Sequence, residues 1–253
     1  MKSAKECDLS KDPDRKDVHN SGIPRICSAC EARYRGICGA LEPDELVALS
    51  RVSRQVSAGA GEELLADSEP VSTYANVMHG VVKLSKMLAD GRQQVVGLQF
   101  APDFLGRLFA AENRLTAEAA SEVELCRFPR SALDQMIADN PGLERRLLQQ
   151  TLHELDEARD WMVTLGRKTA AEKVASFIYL IATHFDPEIE SGTAQELSFD
   201  LPLSRADIAD FLGLTVETVS RQLTRLRLDG VIRIANNRHL TIPDPERLKG
   251  RCG

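Results

Sequence analysis

The chain has 253 residues, 32 basic and 38 acidic, for a net charge of −6; 43% are hydrophobic and 5% aromatic. That length fits one large domain or two ordinary ones, the apolar fraction is enough for packed cores, and no run of roughly eighteen apolar residues offers a membrane helix. Mild acidity excludes a histone-like or ribosomal role but says nothing of local patches.

Met1 to Asn20 is polar and charged, without the apolar stretch of a secretory signal. A cytoplasmic protein with no membrane attachment is therefore expected, with residues 1–25 as a mobile leader. Structural disulfides are not expected in that compartment. Of the six cysteines, three cluster as Cys27-x2-Cys30-x7-Cys38 in a turn-rich segment holding Pro24, Gly36 and Gly39. A C-x2-C pair in a loop brings two thiolates to one metal centre, and Cys38 can add a third. A fourth must come from elsewhere. Cys126, in the alternating run Val123 to Phe128, is the best-placed candidate and reads equally well as a buried core residue. Thiolate-only ligation suits zinc or an iron–sulfur cluster, and spacing does not separate the two. Cys7 and Cys252 are expected to be exposed and without a role.

Glu42 to Val52 reads as a short helix with Pro43 in its first turn. Residues 53–130 then break into short apolar segments punctuated by turn signals. Val81 to Met87, Asp90-Gly91 and Gln94 to Phe100 form a predicted β-hairpin, and the whole region reads as an antiparallel sandwich or barrel. Helical periodicity follows. Ser131 is placed as the cap of a helix over 132–139, ended by Asn140-Pro141, and a long helix is predicted over 142–165. In that helix Leu148, Leu155 and Met162 recur every seven residues, with Thr151, Ala158 and Leu165 three residues after each. Such an a/d seam packs against a partner helix or against the chain's own β region. The length and charge of the helix favour a partner.

Thr169 with Glu172 is a capping box opening a helix to about His184, followed by an acidic turn-like stretch from Asp186 to Glu196 and a short strand through Leu197, Phe199 and Leu201. Ser204 with Asp207 caps a helix over 205–212, Gly213 ends it, and Thr215 caps another over 216–229, with Val216, Val219, Leu223 and Leu226 as its buried stripe. Ile232 and Ile234, then Leu240 and Ile242, alternate on two strands around Asn236-Asn237, which makes a wing. Glu217, Ser220 and Arg221 share one face in the N-terminal half of the second helix, where base edges are met in the major groove. Arginine can give two hydrogen bonds to guanine and glutamate can accept from cytosine. Arg225, Arg227, Arg233 and Arg238 are expected at phosphates. No Ser-His-Asp set, P-loop or dinucleotide glycine pattern points to an enzyme.

The stretch Leu212-Gly213-Leu214-Thr215-Val216-Glu217-Thr218-Val219-Ser220-Arg221 resembles the recognition motif of the family of the cyclic-AMP receptor protein and the fumarate-and-nitrate-reduction regulator. The resemblance runs from Cys27 onward. It implies an α+β fold: a double-stranded β-roll sensor domain (cupin-like and similar to cyclic-nucleotide-binding domains), a long dimerisation helix, and a C-terminal winged helix-turn-helix domain. The boundaries expected are 26–140, 141–166 and 167–253. It also implies a homodimer that reads TTGA-type palindromes in double-stranded DNA, with Thr215, Thr218 and Arg225 joining Glu217, Ser220 and Arg221 at the DNA.

Within the family, Phe104-Leu105-Gly106-Arg107-Leu108 places Arg107 where the cyclic-AMP branch has a glutamate, so no cyclic nucleotide is expected. Cys27, Cys30, Cys38 and Cys126 look like the four ligands of the oxygen-labile [4Fe–4S] cluster of the fumarate-and-nitrate branch. The longer gap before Cys38 is similar to the α-proteobacterial subgroup that controls microaerobic respiration and nitrogen fixation. The implied function is an oxygen-responsive transcription regulator, mainly an activator, whose cluster controls dimerisation. The loop Met87 to Gln93 matches a family surface for RNA polymerase and is also explained as a plain hairpin turn. The alternative is a regulator of the same family whose cysteines bind zinc or act as a thiol switch.

Overall fold

A computed structural model describes residues 23–28, 30–189 and 196–253. The greater part of the expected leader, with Cys7, and the middle of the acidic stretch lie outside the described residues. Three short helical turns come first: α1 (Arg25–Ser28), α2 (Glu31–Tyr34) and a 3-10 turn, Ile37–Ala40. The cysteine segment is therefore helical where a loop was expected. None of these turns is long enough to stand alone, and they are held by tertiary burial of Ala32, Ile37 and Leu41. Helix α3 (Pro43–Val52) follows. Its first turn is closed by the Glu42 backbone amide donating to the Glu45 carboxylate at 2.8 Å.

The β region holds β1 (Arg54–Ala58), β2 (Glu63–Leu65), β3 (Thr73–His79), β4 (Val81–Met87), β5 (Gln93–Phe100), β6 (Phe104–Leu105), β7 (Thr116–Ala119) and β8 (Val123–Pro129). They form two four-stranded sheets, ordered β1-β8-β3-β6 and β2-β7-β4-β5. This is the expected sandwich, and the predicted hairpin is β4-β5. Period-2 alternation assigns each strand's faces. Ala75, Val77, Val123 and Leu125 pack into one apolar core with Val82, Ala117 and Ala119. The alternate residues Tyr74 and Phe128 point to the other face and join a second core with Ile37, Leu46, Leu49, Leu133, Leu143 and Leu147. That second core lies under the cysteine segment.

Helix α4 (Arg130–Asp139) has Pro129 at its N-cap, so Ser131 lies inside the helix and does not cap it. Helix α5 (Pro141–Arg167) is the predicted long helix, two residues longer at its C-terminal end and one at its N-terminal end. Then come α6 (Ala170–Phe185), capped by the Thr169–Glu172 box, β9 (Leu197–Asp200), α7 (Arg205–Leu212), α8 (Val216–Leu228), β10 (Arg233–Ala235), β11 (His239–Ile242) and a final α9 (Pro245–Lys249) that the sequence reading did not anticipate. Strands order as β10-β11-β9.

The chain divides into two compact units, one of residues through Leu84 with Leu98–His153 and one of Ser85–Gly97 with Glu154–Gly253. Among the described residues no helix is long and apolar enough to cross a membrane.

Candidate functional site

Strand β8 is an inner strand of the first sheet, and Cys126 sits on it with Gln55 of β1 and Asn76 of β3 as its register partners on either side. Because Leu125 faces the sandwich interior, Cys126 faces outward, toward the segment bearing the other cysteines. Cys27 lies in α1, Cys30 occupies the N-cap of α2, and Cys38 is in the 3-10 turn. All four line one cavity of about 330 Å3, together with Arg33, Ser53, Gln55, Asn76 and Met78. Four residues up to 99 positions apart in the chain thus line the same cavity.

The electrostatics of this cavity set its chemistry. Burial pushes the Cys126 thiol up to about 11. Burial, with Cys126 and Cys30 adding to it, pushes Cys27 up to about 12 against an opposing pull from Arg33. Cys38 is raised by burial first, then by Cys126, Cys30 and Cys27, against a hydrogen bond from Asn76. Thiolates in a desolvated pocket repel one another, so Cys27, Cys38 and Cys126 are held as neutral thiols unless a cationic centre offsets that cost.

The donor set is all sulfur, which suits zinc or iron–sulfur chemistry. Among the described residues no three or more His, Cys, Asp or Glu stand as a ready set for a single metal ion. The four cysteines lining the cavity offer a thiolate-only donor set, which fits a metal centre of either kind.

Asn76 is a site residue that the sequence reading missed. It is 1% exposed, its Nδ2 donates to Cys38 Sγ at 3.3 Å, and its Oδ1 has no partner among the described residues. The available signal was a polar residue between Ala75 and Val77 in an apolar strand. Cys252, expected to be exposed, is half-buried, with its Sγ 3.5 Å from Leu248 O.

The second candidate surface is α8. Thr215 caps it by accepting from the Thr218 backbone amide at 3.2 Å, and Gly213 takes the left-handed conformation at φ 62° that ends α7. Val219, Leu223 and Leu226 are buried as predicted. Val216 is 41% exposed, which corrects the predicted stripe; it is the first residue of the helix. Glu217, Ser220, Arg221 and Arg225 are exposed and Thr218 is half-buried. Arg221 Nη2 donates to Thr218 Oγ1 at 3.3 Å, which holds the guanidinium along the helix face. A hydrogen bond from its own backbone amide, and then one from the Thr215 hydroxyl, hold the Glu217 carboxyl below its ordinary range.

Asn236 and Asn237 take φ of 50° and 57° at the wing tip, as expected. Two of the arginines expected at phosphates are engaged within the chain. Arg238 Nε donates to Leu201 O at 3.0 Å, and Arg233 pairs with Glu196 at 3.2 Å.

On α5 the predicted seam residues Leu148, Thr151, Leu155, Ala158 and Met162 are exposed, while Leu165 is half-buried. Leu152 and Val163 add to the exposed apolar surface.

Residues 172–251 match the Crp-like helix-turn-helix domain, and residues 55–140 match the cyclic nucleotide-binding domain. A protein of Rhizobium leguminosarum bv. viciae bearing the name "Probable transcriptional activator" is 55% identical over 93% of this chain and 96% of its own length. Transcriptional activator protein FnrL of Cereibacter sphaeroides is 38% identical over 91% of this chain and 94% of its own. The solved structure of FixK2 from Bradyrhizobium japonicum superposes with a TM-score of 0.70 at 33% identity, covering 80% of this chain and 98% of that one. The β-sandwich, the winged helix-turn-helix and these likenesses agree: the chain belongs to the family of transcription regulators of the cyclic-AMP receptor protein and the fumarate-and-nitrate-reduction regulator, in the latter's branch.

Proposed function

We propose that this protein is an oxygen-responsive regulator, mainly an activator, of genes used at low oxygen, and that it acts as a homodimer on TTGA-type palindromes. The observation that carries this reading is the meeting of Cys27, Cys30, Cys38 and Cys126 around one cavity. A [4Fe–4S] cluster held there supplies an oxygen-labile centre. The chain's own residues do the rest. Cys126 anchors the centre to the sheet, and Cys27, Cys30 and Cys38 tie the short-helix segment to it. Asn76 steadies the Cys38 sulfur, and Leu46 and Leu49 keep that side of the cavity apolar.

Leu148, Thr151, Leu155, Ala158, Met162 and Leu165 form the dimer seam. Placing two α8 helices about one turn of DNA apart needs such a dimer. Arg221 gives its paired donors to guanine, Glu217 accepts from cytosine, and Ser220, Thr215, Thr218 and Arg225 complete the contact. RNA polymerase is met by the turn between β4 and β5, where Met87 and Leu88 are exposed. Cyclic nucleotide has no place in this reading. Arg107 replaces the glutamate expected of a nucleotide site.

The test is fluorescence anisotropy on a TTGA palindrome and on a scrambled duplex at one fixed salt concentration. Anaerobically iron–sulfide-loaded protein is measured before and after exposure to air. Tight, sequence-selective binding lost in air is expected. Equal binding to both duplexes overturns the DNA assignment, and equal binding before and after air overturns oxygen control.

A further inference from the structure

Arg146 stands on α5 two residues before the seam residue Leu148 and points the other way. Its Nε donates to Gly36 O at 3.2 Å and its Nη2 to Arg35 O. Both acceptors lie in the middle of the excursion between Cys30 and Cys38. They belong to a segment with no slack: a Cβ on Gly36 would meet Ala32 Cα and Pro102 O, each at 2.9 Å. Beneath the guanidinium, Leu143 and Leu147 of α5 share a core with Ile37 and Leu41, and Cys38 and Cys126 pack against that same core. Asn140, just before α5, extends the tie by donating to Ala40 O at 3.4 Å.

We propose that Arg146 is the positioning residue that couples the cysteine cavity to the dimerising helix. This rests on the reading above, in which the cavity is loaded and α5 dimerises. A planar guanidinium bonded to two adjacent carbonyls fixes both distance and angle, which one ammonium cannot do. When the four sulfurs draw in around a cationic centre, the Arg35–Gly36 peptide moves with Cys30 and Cys38. Close packing makes that displacement a switch between two arrangements of the Arg146 fork. The helix backbone at Arg146 follows, and the seam begins two residues later.

Two measurements on the full chain test this with Arg146→Ala, Arg146→Lys and the exposed-residue control Arg145→Ala. The first is amide hydrogen exchange of the reduced, metal-free protein. Arg146→Ala is expected to speed exchange about tenfold at residues 36–41 and at residues 143–151 together, with Arg145→Ala unchanged. The second is the dimer dissociation constant by sedimentation equilibrium, before and after iron–sulfide loading. The wild-type ratio of the two constants is expected to shrink toward one in both Arg146 variants while their iron content stays at the wild-type value. A merely structural role would weaken both forms and leave the ratio alone.

Exchange that speeds at only one of the two segments, or a wild-type ratio retained by Arg146→Lys, overturns the proposal. A wild-type chain that takes up no iron refutes the functional reading by itself. The exchange measurement needs no metal and still decides the coupling.

Discussion

Leu155→Ala separates the folding of one chain from the association of two. Leu155 is 44% exposed on α5, at the centre of the seam. Full burial of a leucine is worth about 1.5–3 kcal/mol, so covering the exposed part contributes about 0.7–1.3 kcal/mol per chain. A two-fold dimer counts each substitution twice. Since alanine keeps its Cβ, the net loss comes to about 1–2.5 kcal/mol, a weakening of roughly fivefold to seventyfold in the dimer dissociation constant. Sedimentation equilibrium reads that constant directly.

Denaturant unfolding at concentrations below dimerisation should stay within about 0.5 kcal/mol of wild type, because an exposed side chain contributes little to its own chain. An unchanged dimer constant would refute the seam. A large loss of single-chain stability would show that Leu155 packs on its own chain.

Three further outcomes follow from particular contacts. Arg221→Ala should lose about 1–3 kcal/mol of discrimination at its guanine, read as the ratio of affinities for matched and single-mismatch duplexes; an unchanged ratio would remove Arg221 from base readout. Gly36→Ala should destabilise the metal-free protein by about 1–3 kcal/mol in urea, because the neighbours of the new Cβ are backbone atoms that cannot turn aside; wild-type stability would show that the segment yields. Tyr74 is 1% exposed and donates to Asp134 Oδ1 at 3.3 Å. Burial, with the Asp134 carboxylate adding to it, raises its phenol from an ordinary 10 to about 12. Above pH 10 the unfolded phenol ionises while the folded one stays neutral, so up to about 2–3 kcal/mol of stability is lost as pH rises from about 10 to about 12. Tyr74→Phe should flatten that part of the urea-midpoint profile, and an unaltered slope would clear the phenol.

Features that depend on a few adjacent residues were legible in the sequence. The Thr169–Glu172 and Ser204–Asp207 caps, the left-handed Gly213 and the Asn236-Asn237 wing tip each carry a local chemical signal that needs no tertiary information. The seven-residue recurrence of Leu148, Leu155 and Met162 was legible because a 27-residue helix is long enough to hold all three positions.

The segment from Cys27 to Cys38 was not legible as structure. Turns of four residues have no periodicity to detect, and burial of Ala32 and Ile37 against distant strands makes them. The alternating run around Cys126 gave its strand, but not its neighbours. Asn76 and Gln55 became site residues only once the register of β3, β8 and β1 was known. Arg146 reads in sequence as one more charge on a polar helix, and only its acceptors, 110 and 111 residues away, give it a role. The net charge of −6 likewise said nothing of the recognition helix: α8 presents exposed Arg221 and Arg225 whatever the rest of the chain carries.

The central claim is that Cys27, Cys30, Cys38 and Cys126 together hold an iron–sulfur cluster. The most direct test is anaerobic purification, with absorption spectra and iron and sulfide assays on wild type and Cys126→Ala side by side. The account predicts a coloured wild-type protein with iron and sulfide in equal amounts, and a colourless variant. A colourless wild-type protein holding zinc alone would contradict it, and an unchanged spectrum in Cys126→Ala would remove Cys126 from the ligand set.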